Sequence, residues 1–217
     1  MAGFLITFEG IDFCGKTTQA RKLASYLRKK GHNVLLLREP GGGKIGEKIR
    51  QVLLNKSNSE MTPLTELLLY EAARSQLTER TILPALKEGK AVLCDRYSDS
   101  TLAYQGYGRG LEKRMIRHVS QIATFKLLPD LTILLDVPVK TSLKRGRKEK
   151  RKKDRLEKER FEFHQRIREA FLKIAGQNPK RIKVVDGTQN IDKTWQKVKK
   201  AADSFLRTRP EAAGKIR

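Results

Sequence analysis

A glycine-rich segment near the start of the chain constrains the fold more than any other feature. It runs GIDFCGKT from Gly10 to Thr17 and fits Gly, four residues of any kind, and then Gly-Lys-Ser/Thr. The apolar run from Phe4 to Phe8 precedes it, and a helical pattern that continues to Leu27 follows it. Strand, glycine loop and helix in this order form the context in which the motif binds nucleotide phosphates. The sequence therefore predicts a phosphate-binding loop.

Each part of this loop has a chemical role. Glycines let successive backbone N–H groups converge on a phosphate, and the helix that begins near Lys16 carries about half a positive charge at its N-terminus. Lys16 is predicted to bridge the β- and γ-phosphates of ATP, and Thr17 to bind Mg²⁺. The predicted nucleotide-binding residues of this segment are Gly10, Ile11, Asp12, Phe13, Cys14, Gly15, Lys16, Thr17 and Thr18.

Short apolar runs alternate with helical segments along the chain, which is typical of a doubly wound parallel sheet flanked by helices. With the phosphate loop after the first run, this predicts a five-stranded α/β P-loop NTPase fold. We expect one domain over residues 1–206, a disordered tail at 207–217 and no second domain. The predicted strands are Phe4–Phe8, Val34–Leu37, Ala91–Cys94, Leu131–Leu135 and Ile182–Val185.

Two helices have apolar positions that we expect to face the core. One begins at Thr62-Pro63, an N-cap followed by proline in the first turn, and should run toward Pro84. The other spans about Leu111 to Thr124. The inward residues predicted for the two helices are Leu64, Leu67, Leu68 and Ala72, and Met115, Val119 and Ile122.

The two cysteines, Cys14 and Cys94, belong to no CxxC pair, so neither a disulfide framework nor a zinc site is expected. Since no run approaches the roughly 18 apolar residues that span a bilayer, no membrane association is predicted. We expect a cytoplasmic protein. A helix N-terminus and Lys16 both favour a thiolate, so Cys14 is predicted to be the more reactive thiol.

The chain has 47 Lys and Arg against 24 Asp and Glu, a formal net charge of +23. Such an excess favours a polyanionic partner, which is either a nucleic acid or a phosphorylated small molecule. The segment from Lys144 to Arg160 alone holds 11 basic and 4 acidic residues. The charge makes a nucleic-acid-dependent ATPase one possible function, and a non-catalytic nucleotide sensor is an alternative of a different class.

Charged residues follow the second and third predicted strands, in Arg38-Glu39-Pro40 and Asp95-Arg96-Tyr97. Ligands of doubly wound sheets bind at this carboxyl edge. An acceptor that carries its own phosphate needs cations there, and Arg96 and Arg50 are of the right type because a guanidinium fork matches a phosphate. A guanine-reading Asn-Lys-x-Asp motif is absent, since Asn55-Lys56 is followed by Ser57-Asn58. These features favour a kinase of small phosphorylated acceptors over a GTPase.

The segments FEGIDFCGKTTQ, REPGG, ELLLYEAARS, DRYSDSTLAYQG, PDLTILLDVP and DRLE, in this order, resemble the bacterial thymidylate kinase family from Phe4 to about Leu206. The resemblance implies transfer of the ATP γ-phosphate to thymidylate with Mg²⁺, for dTTP synthesis, by a homodimer. Nucleic acid is then expected to bind only non-specifically, through electrostatic attraction.

The resemblance also implies how the acceptor is held. Tyr70 stacks on thymine, Arg74 binds its O4, and Tyr104 and Gln105 pack near the sugar and base. Arg96 grips the thymidylate phosphate. The remaining acceptor residues are Glu39, Pro40, Arg50, Ser100 and Thr101.

Metal, adenine and lid residues follow from the same resemblance. Asp95, with Thr17, is expected to organise Mg²⁺, and Asp12 to act at the metal or sugar. Arg145 packs on adenine, with Gln189 in the segment that closes its other side. A basic helical lid over about residues 146–160 supplies the catalytic charge that the loop lacks. Its candidates are Arg151, Lys153 and Arg155.

Two positions depart from the family pattern. Phe13 stands where members with a basic lid usually have glycine, and Leu156 where an aromatic residue is common. The local shape of the loop and the packing of the lid are expected to depend on these two residues. Lys16, Arg96, Arg151, Arg155 and Asp12 are the predicted catalytic residues.

Overall fold

One sheet of parallel strands organises the chain. The computed structural model describes residues 3–149 and 154–209. Its strands are β1 (Phe4–Glu9), β2 (Val34–Arg38), β3 (Ala91–Asp95), β4 (Leu131–Asp136) and β5 (Ile182–Asp186). They lie in the order β2-β3-β1-β4-β5, and every neighbouring pair is parallel. This confirms the predicted doubly wound sheet.

Each strand starts where the sequence predicts and extends one residue further, onto a charged side chain. The apolar runs identify the buried part of each strand, whereas the last residue lies at the carboxyl edge where the sheet meets the site. These terminal residues are Glu9, Arg38, Asp95, Asp136 and Asp186.

Helices cover both faces of the sheet. Successive side chains of β1 point to opposite faces, so that Phe8 packs in the core that includes Leu23 of α1, and Leu5 packs in a second core with Ile82. Two π-helical segments, Thr78–Ile82 and Leu102–Gly108, interrupt the α-helices. The α-helices are α1 (Lys16–Lys29), α2 (Lys44–Leu54), α3 (Pro63–Leu77), α4 (Leu83–Lys87), α5 (Ser98–Thr101), α6 (Lys113–Ala123), α7 (Val139–Arg147), α8 (Phe161–Gln177) and α9 (Ile191–Thr208).

The helix that begins at Pro63 differs from the prediction. Thr62 caps it as expected, accepting a hydrogen bond from the Thr65 N–H. The α-helix ends at Leu77, however, and Pro84 lies in the first turn of α4 after a π-helical segment. A proline is tolerated at that position because the first-turn N–H groups have no partner in the helix.

The predicted inward faces of α3 and α6 were largely wrong. Leu67 is buried as expected, but Leu64 and Leu68 are 47% and 50% exposed, and Ile122 of α6 is 76% exposed. Ala72 is exposed, and Met115 and Val119 are half-buried. The buried side of α3 instead carries charged residues that form part of the site, and Ile116, Ser120 and Ala123 form the buried side of α6. Both helices therefore present apolar side chains outward.

The lid and the tail are described only in part. Helix α7 ends at Arg147, residues 155–158 form turns, and residues 150–153, which include Arg151 and Lys153, lie outside the described residues. Arg207 and Thr208, expected in a disordered tail, belong to α9, and residues 210–217 lie outside the described residues. Among the described residues, none of the helices combines the length and apolar character needed to cross a membrane.

Candidate active site

The carboxyl ends of β1, β2 and β3 open onto a cavity of about 1100 Å³. Its lining includes the phosphate loop after β1, the Glu39-Pro40 pair after β2 and the Asp95-Arg96 pair at the end of β3. This is the edge at which the sequence placed both ligands. The cavity is large enough for two nucleotides, since pockets for single ligands commonly measure about 300–1,000 Å³.

The phosphate loop has the backbone shape that its glycines allow. Gly10 has a φ of 132°, and a Cβ there would lie 2.5 Å from the carbonyl oxygen of Leu135. Phe13 has a φ of 57°, in the left-handed region that favours glycine. Its ring occupies the space above Gly146 of α7, where an added Cβ would lie 2.6 Å from the ring. Because Gly146 has no side chain, the Phe13 ring fits against α7.

Lys16 is buried and lies over the loop that precedes it. Its Nζ donates to the carbonyl oxygens of Gly10 and Ile11, at 3.0 and 2.8 Å, and lies 3.7 Å from Cys14 Sγ. Lys16 also lines the cavity. The cation is therefore held at the loop, where it can exchange backbone contacts for phosphate oxygens.

Burial changes the expected ionisation of the Cys14 thiol. It is 2% exposed, and burial raises the pKa of its thiol although Lys16 and Arg96 act to lower it. Burial raises the pKa of Cys94 as well, to well above its ordinary value. Desolvation thus outweighs the positive charge near Cys14, so the structure does not favour a thiolate there. Because the pKa of Cys94 is raised further, the greater reactivity of Cys14 stays a prediction.

Thr17 and Asp95 meet at the mouth of the cavity. Thr17 Oγ1 donates to Asp95 Oδ2 at 2.5 Å, which joins the start of α1 to the end of β3. A hydroxyl and a carboxylate are hard oxygen donors of the kind that Mg²⁺ accepts together with several waters. Within residues 3–149 and 154–209, there is no cluster of three or more His, Cys, Asp or Glu side chains that could hold a metal. This pair fits a metal that keeps most of its water.

Arg96 connects the phosphate loop to the acceptor side of the cavity. Its backbone has a φ of 72°, in the left-handed region. One terminal nitrogen donates to the Gly10 carbonyl at 3.0 Å and to Ser100 Oγ at 3.1 Å. The other donates to Asp12 Oδ1 at 2.6 Å and to the Tyr104 hydroxyl at 3.0 Å. Four partners from three segments thus fix the guanidinium.

Asp12 is the anionic partner of this arginine. Although burial would raise the pKa of its carboxyl, the charges of Arg96 and Lys16 lower that pKa to about 2. The Tyr104 hydroxyl donates to the second carboxylate oxygen at 3.1 Å. Asp12 therefore stays ionised and holds Arg96 near the phosphate loop.

Sequence reasoning missed Glu9, the last residue of β1, which is 1% exposed. Its carboxylate accepts hydrogen bonds from the Tyr97 N–H at 2.8 Å and from the Ser100 hydroxyl at 2.6 Å, and this hydroxyl also accepts from Arg96. Burial raises the pKa of Glu9 to about 7, and the charge of Asp99 acts in the same direction. The sequence feature that could have indicated Glu9 is the presence of a charged residue at the end of an apolar strand.

Arg74 is 1% exposed and contacts two carboxylates. Its Nε donates to Glu39 at 2.7 Å, and Nη1 donates to Glu71 at 2.6 Å and to Thr101 Oγ1 at 2.7 Å. Nη2 donates to the Tyr97 carbonyl at 3.2 Å. Four of the five N–H groups of a guanidinium are used in these bonds, which leaves one on Nη2 for a ligand. Sequence reasoning had missed Glu71.

The other predicted acceptor residues surround the same cavity. Arg50 donates to the Pro40 carbonyl at 2.9 Å, and Gln105 donates to Glu66, a third carboxylate that sequence reasoning missed. Every predicted acceptor residue lines the cavity: Glu39, Pro40, Arg50, Tyr70, Arg74, Arg96, Ser100, Thr101, Tyr104 and Gln105.

The predicted adenine residues lie at the other end of the site. Arg145 lines the cavity and donates to the carbonyl oxygens of Gly187 and Thr188, at 2.8 and 3.3 Å. Gln189 follows in the same segment, and its Nε2 lies 3.4 Å from Asp186. The two elements expected to enclose adenine are thus in contact, although Gln189 does not itself line the cavity.

Of the two lid arginines predicted to be catalytic, the structure describes only Arg155. Arg151 lies outside the described residues. Arg155 lies away from the main cavity, because its guanidinium donates to Glu66 at 2.5 Å and to the Leu53 carbonyl at 3.0 Å. The structure therefore does not bring Arg155 to the phosphate loop. Leu156, the second departure from the family pattern, is buried and lines the cavity.

A parallel sheet with a phosphate loop after its first strand, opening onto a cavity lined by several arginines, is typical of a P-loop phosphotransferase. The family model of thymidylate kinase matches residues 8–198. The chain therefore belongs to the thymidylate kinase family, and it is a nucleoside monophosphate kinase by class. The resemblance found in the sequence is confirmed.

Known proteins support this assignment over nearly the whole chain. The chain is 48% identical to the thymidylate kinase of Thermoanaerobacter sp. strain X514, over 95% of this chain and all of that protein. It is 49% identical to the thymidylate kinase of Geobacter sulfurreducens, over 88% of this chain and 92% of that protein. The crystal structure of thymidylate kinase from Ehrlichia chaffeensis has a TM-score of 0.76 and 34% identity, covering 94% of this chain and 99% of that one.

The raised pKa of Glu9 predicts a pH-dependent stability. The carboxyl ionises near 4.5 in the unfolded chain and near 7 in the folded one, so between these values the folded chain binds more protons. The free energy of unfolding should therefore fall as the pH rises from about 5 to 8. In Glu9→Gln, the free energy of unfolding, measured by denaturant titration, should fall by roughly 2–3 kcal/mol less than in the parent over this pH range. Glu60→Gln, at an exposed position, should keep the parent slope, and an unchanged slope in Glu9→Gln would contradict this account.

Proposed function

We propose that this chain transfers the γ-phosphoryl group of ATP to thymidylate, giving ADP and thymidine diphosphate. The observation that carries the proposal is the position of Arg96, whose guanidinium contacts the phosphate loop at Gly10 and also lines the acceptor cavity. One cation can then contact the acceptor phosphate beside the donor phosphates. Such placement is what phosphoryl transfer requires, because its catalysis consists mainly of positioning and charge neutralisation.

The acceptor needs little activation. A phosphate monoester is largely ionised at neutral pH, so one of its oxygens attacks the γ-phosphorus in line and ADP leaves. The main obstacle is the repulsion between two polyanions. Lys16 and Arg96 reduce it from the loop side, and the lid, with Arg151, is proposed to add charge from above. A closed lid would also exclude water from the phosphoryl group.

Thr17 and Asp95 are proposed to hold Mg²⁺, since their oxygens already lie 2.5 Å apart beside the loop. When bound, the ion would neutralise charge on the β- and γ-phosphates. Asp12 is proposed to keep Arg96 oriented, because it is ionised and hydrogen-bonded to Arg96.

Recognition of thymine is proposed to use Tyr70 and Arg74. Tyr70 lines the cavity, and four residues further along α3 the remaining N–H of Arg74 is available for the O4 carbonyl. Tyr104, hydrogen-bonded to Asp12 and Arg96, would restrict the space at the 2' position of the sugar. The donor base is proposed to lie between Arg145 and the segment from Gly187 to Gln189.

A coupled ADP-release assay with a panel of nucleoside monophosphates, and with DNA and RNA, tests the function. Thymidylate should give the highest kcat/KM, and nucleic acid should give no stimulation. Preference for another monophosphate would overturn the substrate assignment, and stimulation by nucleic acid would favour the alternative ATPase.

In the same assay, a matched pair of variants tests the thymine pocket. Tyr70→Leu should raise the KM for thymidylate about tenfold, since stacking of a base on an aromatic ring contributes about 1–3 kcal/mol. Tyr70→Phe keeps the ring and should stay within about twofold of the parent. The KM for ATP should change in neither variant. Equal losses for ATP and thymidylate would place Tyr70 outside the acceptor pocket.

The homodimer implied by the family resemblance is also proposed, with α3 and α6 at the interface. Leu64 and Leu68 are about half exposed, and Ile122 is 76% exposed. Helices α3 and α6 contact each other, and exposed apolar side chains on neighbouring helices are typical of interaction sites. The cytoplasmic location and the weak, non-specific binding of nucleic acid expected from the sequence stay predictions.

A single charge should disrupt such an interface. Ile122→Glu is expected to convert the dimer to monomers, because a carboxylate would be buried without a partner. Sedimentation velocity measures the change. Ile191→Glu, at an equally apolar position that is 55% exposed on α9, should remain dimeric. A parent chain that is monomeric at micromolar concentration, or an Ile122→Glu variant that stays dimeric, would contradict the proposed interface.

A further inference from the structure

A buried carboxylate on α3, that of Glu66, connects the acceptor cavity to the base of the lid. Glu66 is 1% exposed. Its Oε1 accepts from Gln105 Nε2 at 2.8 Å, and its Oε2 accepts from Arg155 at 2.5 Å. Gln105 lines the acceptor side of the main cavity, whereas Arg155 belongs to the predicted lid. The two oxygens of one side chain therefore hold two parts of the site that are far apart in sequence.

Arg109 strengthens the same connection. It donates to both oxygens of Glu66, at 3.2 and 3.1 Å, and its other terminal nitrogen donates to Glu159 at 2.6 Å. Its guanidinium also lies 4.7 Å from the centre of the Phe163 ring, at the start of α8. The segment from residue 154 to α8 is thus fixed at both of its ends, by Arg155 and by Glu159.

The cluster is built to keep Glu66 charged. Burial alone would raise the pKa of its carboxyl, but hydrogen bonds from Arg109 and Gln105 and the charges of both arginines lower it below its ordinary value. A buried carboxylate with charged, hydrogen-bonded partners on both oxygens is strongly oriented. Loss of one partner would leave a buried charge incompletely paired, which is costly.

Arg155 itself is placed for a structural link and not for chemistry. Besides Glu66, its guanidinium contacts the Leu53 carbonyl at the end of α2 and lies 3.6 Å from Met61 Sδ. It borders a second cavity, of about 390 Å³, and does not line the main one. Its polar contacts with described residues thus lie outside the phosphate-loop cavity.

We propose that Glu66 is a positioning residue that couples the acceptor pocket to the lid, and that Arg155 acts through Glu66. An acceptor that packs against Gln105 would steady the carboxylate that holds the base of the lid. By linkage, a correctly held lid base would in turn order the Gln105 wall of the pocket. This inference rests on the proposed thymidylate kinase function and deepens it.

A double-mutant cycle on thymidylate turnover tests the coupling. Glu66→Gln and Arg155→Met should each lower kcat/KM for thymidylate about tenfold, within the range measured for residues in one polar network. The kcat/KM of the double variant should be no lower than that of the more impaired single variant. If Arg155 instead touches the transferred phosphoryl group, the two losses should multiply, and that result overturns the inference.

Two further measurements separate coupling from general damage. The affinity for ADP, measured by calorimetry, should stay within about twofold of the parent in every variant, because it reports an intact phosphate loop. Glu162→Gln changes an exposed carboxyl in the first turn of α8, outside this cluster, so its turnover should resemble that of the parent. A Glu162→Gln loss as large as that of Glu66→Gln would also overturn the inference.

A second cycle decides the matter if Glu66→Gln does not fold at the assay temperature. Gln105→Leu and Arg155→Met change the two outer members of the cluster, which share Glu66 as their partner. Non-additive losses of kcat/KM support coupling through Glu66, and additive losses overturn it. The parent chain provides the separate check: failure to phosphorylate thymidylate would overturn the proposed function itself, whatever the variants show.

Discussion

The guanidinium of Arg96 is the contact on which the rest of the site depends. It is bonded to the loop that follows β1, to Ser100 of α5 and to Tyr104 of the π-helical segment. The backbone must take a left-handed φ of 72° to direct it there, and Glu9 holds the following residues from beneath. The proposed donor and acceptor subsites are thereby fixed relative to each other before either substrate binds.

This arrangement places several charges in a poorly solvated region. Arg74 lies between Glu39 and Glu71, and Arg96 is paired with Asp12. Buried ion pairs of this kind contribute little net stability, since desolvation offsets most of the attraction. They do orient hydrogen-bond donors in advance, so less reorganisation is needed when a phosphate arrives.

Local signals in the sequence were enough for the sheet and the phosphate loop. Each strand is a continuous apolar run, and the loop motif requires a strand before it and a helix after it, so pattern and context agreed. The family resemblance extended this to the acceptor residues, which all line one cavity. Charged strand ends such as Asp95 marked the edge of the sheet at which the cavity opens.

What the sequence did not reveal depends on tertiary contacts. An amphipathic pattern predicts that the apolar side of a helix is buried. Tertiary contacts override it in α3, which turns Glu66 and Arg74 inward while Leu68 faces outward. Desolvation of Cys14 could not be read from its position beside Lys16. The role of Gly146 under the Phe13 ring likewise requires the packing of α7 on the loop.

The most direct test of this account is the turnover of Arg96→Lys. Lysine keeps the charge but cannot reproduce the forked contacts that join the loop to the acceptor side. We expect kcat/KM for thymidylate to fall about a hundredfold or more, with ADP affinity nearly unchanged, because arginines that stabilise transferring phosphoryl groups contribute on that scale or above. Arg207→Lys, at an exposed position on α9, should behave as the parent. Activity of Arg96→Lys within about threefold of the parent would contradict the central role of the Arg96 guanidinium.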